Sequence, residues 1–157
     1  MGLIDFMKNA GEKLFGDDEP SAEEKAAERQ AKEQKASEAL EKLVRTMNIK
    51  VDNLDVQYSS GMATIYGKTD DQASAERAAL TVGNIRGVGR VDNRIEVINP
   101  APEAVYYTVM SGDSLSKIAK FKYGDAMKYP VIFEANKPML QHPDKIYPGQ
   151  VLRIPAT

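Results

Sequence analysis

Apolar and polar positions alternate through Leu54, Val56 and Tyr58, stop at Ser59-Ser60-Gly61, and resume from Met62 to Gly67 with Ala63 and Ile65 on one face. Alternation with a period of two, interrupted by a serine-glycine turn, predicts two successive strands. The period then changes. Ala75, Ala78, Ala79 and Val82 recur at helical spacing, and Thr69 with Gln72 offers capping-box spacing just ahead of them. The helix they predict has a narrow contact face of small residues and breaks in Gly83-Asn84-Ile85-Arg86-Gly87-Val88-Gly89. A last strand is expected through Val91, Ile95 and Val97. Upstream, Leu40, Leu43, Val44 and Met47 supply the packing stripe of a helix that precedes the strands. Helix-strand-strand-helix-strand is the order of one compact α+β layer pair.

Two segments precede this unit. Leu3, Met7, Ala10 and Leu14 fall at helical spacing with Phe6 beside them, and Gly11 stands where a helix can end in a left-handed residue. Few basic residues line the polar side, so docking on the core is favoured over a membrane-surface helix. From Gly16 to about Ser37 no aromatic residue and no aliphatic larger than Ala occurs. Ser21 and Glu24 have capping-box spacing just after Pro20, which predicts the start of a solvated helical arm.

Downstream, Asn99-Pro100-Ala101-Pro102-Glu103-Ala104 reads as an extended linker, because proline cannot continue a sheet interior. Beyond it a strand is expected to end at Gly112. Asp113 is expected to cap a helix that turns Leu115, Ile118 and Ala119 inward. Pro148-Gly149 suits a type II turn feeding a final strand with Leu152 and Ile154 on one face.

Charge and composition remove several function classes. The chain has 157 residues, and its 21 Lys+Arg against 23 Asp+Glu leave a formal charge of −2, against the clustered basic excess that nucleic acid requires. The absence of cysteine excludes disulfides, thiolate metal sites and a cysteine nucleophile, and the single histidine, His142, excludes multi-histidine metal sites. Asp5, Lys8, Glu12 and Lys13 interrupt every candidate signal-peptide core, and no stretch approaches a membrane span. Phe6 stands where a myristoylation signal needs Ser or Thr. A cytoplasmic location without membrane insertion is expected.

Catalysis finds little support. Gly83, Gly87 and Gly89 have the wrong spacing for a dinucleotide fingerprint and follow a helix, and no phosphate loop occurs. His142 lies in the polar loop Gln141-His142-Pro143-Asp144 with no nucleophile near it in sequence. Acidic residues are plentiful, so a paired-carboxylate hydrolase stays open, but the expectation is a protein that is not an enzyme.

The segment Tyr106-Tyr107-Thr108-Val109-Met110-Ser111-Gly112-Asp113-Ser114-Leu115, continuing through Tyr123-Gly124 and Phe133-Glu134-Ala135-Asn136 to Ile146-Tyr147-Pro148-Gly149-Gln150-Val151-Leu152-Arg153-Ile154-Pro155, resembles a LysM domain over nearly its whole length. The pieces Gly61-Met62-Ala63-Thr64-Ile65-Tyr66-Gly67 and Val88-Gly89-Arg90-Val91-Asp92-Asn93-Arg94-Ile95, with the Ala-rich helix between them, are similar to a BON domain. With the leading GLIDFMKNAGEKLF, the combination resembles a family of small cytoplasmic bacterial potassium-binding proteins. The expected fold class is α+β: an N-terminal helix plus an αββαβ BON domain, followed by a small βααβ LysM domain. The divisions are a helical segment 1–15, a charged arm 16–37, BON 38–99, a linker 100–105 and LysM 106–157.

That resemblance implies selective K⁺ binding with a role as sensor or buffer, so the question becomes what would hold the ion. Asp17-Asp18-Glu19 suits smaller or divalent cations better and lacks EF-hand spacing. Potassium is better served by neutral carbonyl oxygens that replace its hydration shell. Helix C-termini and glycine turns supply them, since the last four carbonyls of a helix have no intrahelical partner. The expected ligands are therefore the main-chain oxygens of Met7, Ala10, Glu12, Gly83, Ile85 and Val88. The LysM resemblance implies an alternative, N-acetylglucosamine polymers such as peptidoglycan fragments, held by Gly112, Asp113, Ser114, Leu115, Ile146, Tyr147 and Pro148. A third possibility is an adaptor for an unknown protein partner. A monomer is expected.

Overall fold

The computed structural model describes residues 21–156. The expected helix over 1–15 and the Asp17-Asp18-Glu19 run lie outside the described residues. The architecture is α+β, with two hydrophobic cores and an interface between them.

The first core begins with helix α1, Ala22–Thr46, started by the capping box expected at Ser21 and Glu24. It runs unbroken from the charged arm into the packed unit and buries Ala36, Leu40 and Val44. Strands β1 (Asp52–Ser59) and β2 (Met62–Asp71) pair antiparallel around the Ser60-Gly61 turn. Helix α2 (Gln72–Gly83) crosses over to β3 (Arg90–Asn99), which runs parallel to β2, giving the sheet order β1-β2-β3. Alternation in β1 and β2 places Leu54, Val56, Tyr58, Ala63 and Ile65 under α1 and α2, where Ala78 and Val82 meet them.

Two expectations for this unit are corrected. The charged arm is not solvated to its end. Ser37 Oγ accepts the Tyr58 amide at 2.8 Å, and the Glu33 carboxylate accepts the Ser60 amide at 3.0 Å, so polar side chains of α1 satisfy donors at the hairpin. Thr69 and Gln72 do not form the capping box. The β2 strand continues to Asp71, whose carboxylate caps α2 by accepting the Ser74 amide, while Thr69 Oγ1 donates to the Lys50 carbonyl at 2.7 Å. An aspartate in extended backbone is the better N-cap because its charge also faces the positive end of the helix.

The second core follows the βααβ order, with a 3₁₀ turn at Ala126–Lys128 between its helices. Strands β4 (Val105–Thr108) and β5 (Val151–Ile154) pair antiparallel, and α3 (Leu115–Tyr123) and α4 (Tyr129–Ala135) cover them. Leu115, Ile118, Ala119, Ile132, Leu152 and Ile154 form its buried centre. Gly149 has φ +90° and the Gln150 amide donates to the Tyr147 carbonyl, as a type II turn at Pro148-Gly149 requires. Here too a cap is reassigned. Ser114, not Asp113, accepts the Lys117 amide and starts α3, and β4 ends at Thr108 rather than Gly112. The Asp113 carboxylate instead accepts the Met110 amide at 2.9 Å and the Tyr107 hydroxyl at 2.7 Å, closing the turn between β4 and α3.

The β5 strand is the hinge of the architecture. All four β5 residues register with β4, and in the antiparallel alternation the amides and carbonyls of Val151 and Arg153 bond on the other edge. Among the described residues no strand lies there. Asn84, at the end of α2, accepts the Val151 amide on its Oδ1 at 2.8 Å and donates from Nδ2 to the Val151 carbonyl at 2.9 Å. The fully buried Asn136 repeats the arrangement on Arg153, at 2.7 and 2.8 Å. Two asparagine side chains, one from each core, stand in for the missing strand.

Candidate ion site

The turn after α2 is fixed from several sides. The Ile85 amide donates to the Val82 carbonyl and the Val88 amide to the Ile85 carbonyl, at 3.2 and 3.1 Å. Gly87 takes φ +96°, a conformation that favours glycine, and its carbonyl accepts the Tyr58 hydroxyl at 2.8 Å. The Gly89 and Arg90 amides donate to the Gly61 carbonyl at 2.8 and 3.2 Å, tying the turn to the β1–β2 hairpin. Burial pushes the Tyr58 phenol up, with the Glu33 charge adding to the effect and the hydrogen bond from Gly61 opposing it. The phenol therefore stays a neutral donor to Gly87.

The structure brings Gly83, Ile85 and Val88 together on one open depression of about 680 Å³, whose opposite wall is Tyr147-Pro148-Gly149. Among the described residues, the Gly83 and Val88 carbonyls accept no hydrogen bond outside the helix ladder, and the Ile85 carbonyl accepts one. Each carbonyl oxygen has two lone pairs, so all three retain capacity for a cation. Met7, Ala10 and Glu12 lie outside the described residues. Among the described residues no group of three or more His, Cys, Asp or Glu is placed to hold a metal ion.

Sequence reasoning missed the residues that join this turn to the second core. Asn84 reads as a helix end, yet its side chain spans Leu80, at 2.9 Å, and both polar atoms of Val151. Glu76 sits among the small residues of α2 and is 4% exposed. Its Oε2 accepts Arg153 Nε, and its Oε1 accepts the Ala104 amide at 3.1 Å and Gln72 Nε2 at 3.3 Å. The linker expected at 100–105 is therefore anchored at Ala104. Tyr106 beside this pair is 46% exposed, but its phenol is pushed up to about 12, first by desolvation and then by the Glu76 charge. The available signal was a carboxylate inside an otherwise Ala-rich contact face.

The residues of the sugar-binding alternative fall around the opening of the second sheet. The Val109 amide donates to Gln150 and the Gly149 amide to Val109, which brings the 110–113 turn beside the 147–150 turn. Hydrogen bonds from Tyr107 and Met110 hold the Asp113 carboxyl below the usual carboxylate range. Gly112 is exposed with φ +87°, and its carbonyl accepts Lys117 Nζ at 3.0 Å. Tyr147 is 51% exposed, Ile146 packs partly against the core, and Leu115 is a core residue at 2% exposure.

Comparison with known proteins identifies a family for each unit. Residues 25–99 match the BON domain family and residues 107–155 match the LysM domain family. The potassium binding protein Kbp of Escherichia coli O6:H1 is 44% identical over 155 residues, covering 99% of both chains. An uncharacterized protein of Deinococcus radiodurans is 36% identical over 114 residues, which is 66% of this chain and 44% of that protein. The near-complete overlap with the first, in a structure that carries a BON unit and a LysM unit on the expected elements, places this chain in the Kbp family.

Proposed function

We propose that this chain selectively binds K⁺ through the main-chain oxygens of Met7, Ala10, Glu12, Gly83, Ile85 and Val88, and works as a cytoplasmic potassium sensor or buffer rather than a catalyst. The carrying observation is the convergence of Gly83, Ile85 and Val88 on one depression with carbonyl capacity to spare. The relative that spans the whole chain is a potassium binding protein, which supports the same ion. No helix of the described residues is long and apolar enough to cross a membrane, in keeping with a protein that acts without insertion. An ion bridging residues 1–15 to this turn stabilises the bound form by mass action. The test is titration calorimetry of the monomer with KCl against NaCl at matched ionic strength. Saturable heat with K⁺ alone is expected, and no heat together with an unchanged melting temperature would sink the reading.

One observation favours a second reading. The exposed Tyr147 belongs to the 147–150 turn, which the Val109 hydrogen bonds tie to the strand end leading into the 110–113 turn, so an apolar ring and exposed backbone polar groups share one end of the unit, as a shallow sugar site requires. Retention of the protein on peptidoglycan, lost in Tyr147→Ala, is the outcome that would move N-acetylglucosamine polymers to the front.

A further inference from the structure

Phe121 and Met127 are 76% and 77% exposed, the two highest values among the large hydrophobic side chains of the described residues. They belong to one short stretch, Lys120–Lys128, where α3 ends, Gly124 turns the chain with φ +77°, and the 3₁₀ turn follows. The α3 helix turns Leu115, Ile118 and Ala119 into the core, which leaves Phe121 on its outer side.

Three lysines belong to the same stretch. Lys122 Nζ lies 5.2 Å from the centroid of the Phe121 ring. Lys120 Nζ donates to the Gly124 carbonyl at 3.2 Å, between the elements that carry Phe121 and Met127, and Lys128 follows Met127 directly. Among the described residues none of these three ammonium groups forms an ion pair. Asp125, the one carboxylate in the stretch, is engaged by the Met127 amide at 2.9 Å.

We infer that the Lys120–Lys128 end of the LysM unit is a peripheral docking surface for an anionic lipid bilayer. Side chains more than three-quarters exposed project from the surface rather than line a groove. A projecting apolar tip suits a soft phase that closes around it, and uncompensated lysines beside it match lipid phosphates. Phe121 and Met127 enter the headgroup region while Lys120, Lys122 and Lys128 hold the domain to the negative surface. The attachment is reversible and independent of the turn after α2.

The test is co-sedimentation of the full chain with phosphatidylcholine vesicles, with and without phosphatidylglycerol. Binding is expected only with the anionic lipid, weakening as salt is raised. Each lysine replaced by glutamine should lower partitioning roughly fivefold. Phe121→Ser with Met127→Ser should remove binding without moving the melting temperature, since neither side chain is in the core. No binding to anionic vesicles overturns the inference and leaves the patch to an acidic protein surface. Full binding by the folded double serine variant overturns it equally.

Discussion

Replacing Asn84 by alanine removes one of the links between the two cores and leaves the Glu76–Arg153 pair in place. The side chain donates to the Leu80 and Val151 carbonyls and accepts the Val151 amide, so these three hydrogen bonds disappear at once, together with a weaker contact to the Met139 sulfur at 3.2 Å. At about 0.5–1.5 kcal/mol for each net hydrogen bond, the loss of the three is roughly 1.5–4.5 kcal/mol. The sum is concentrated at the edge of β5, because Val151 loses both its partners there. Amide hydrogen exchange on the full chain reads this directly. Val151 should exchange much faster in Asn84→Ala, while Arg153, held by Asn136 within the second core, should keep its protection. In Asn136→Ala the order reverses and the second core itself loosens, because Asn136 is fully buried. Unchanged protection at Val151 in Asn84→Ala would refute the idea that an asparagine substitutes for a strand. Equal loss at Val151 and Arg153 would refute the claim that the contact is confined to the interface.

Arg153→Met leaves the Glu76 carboxylate buried without its guanidinium and should cost about 3–5 kcal/mol in urea unfolding, most of it recovered in the double variant Glu76→Leu, Arg153→Met. Gly87→Val forces a β-branched residue into φ +96° and should weaken K⁺ binding about tenfold or more in calorimetry, the equivalent of 1.4 kcal/mol or above. Gly124→Val, at φ +77° in the other unit and away from the depression, should leave the heat of K⁺ binding unchanged. The raised Tyr106 value means that stability is fully present below the ordinary tyrosine range and falls as pH rises from about 10 towards about 12. Tyr106→Phe should remove that part of the alkaline loss in thermal melts. Asp113 behaves oppositely: its depressed value gives stability above the ordinary carboxylate range that is lost as pH falls through the folded value, and Tyr107→Phe should move its NMR titration upward.

Local patterns were enough to place most elements. Alternation at Leu54, Val56 and Tyr58 marked β1, small residues at helical spacing marked α2, and Pro148-Gly149 marked the turn before β5. Those signals depend on neighbours in sequence, where periodicity and φ preference act. The glycine turn after α2 was legible for the same reason, while the positive φ at Gly87 came from the structure.

Caps were less legible, because serine, threonine and aspartate compete within a few residues. Asp71 and Ser114 took positions assigned to Thr69 and Asp113 once β2 ran longer and Asp113 found the Tyr107 hydroxyl. What only the tertiary structure decided is the joining of the two units. Asn84 with Val151 and Glu76 with Arg153 are 67 and 77 residues apart, and nothing in the local pattern around any of the four names its partner. A free strand edge and a buried carboxylate must each find complementary groups, but which distant residues supply them depends on how the packed cores bring the chain together.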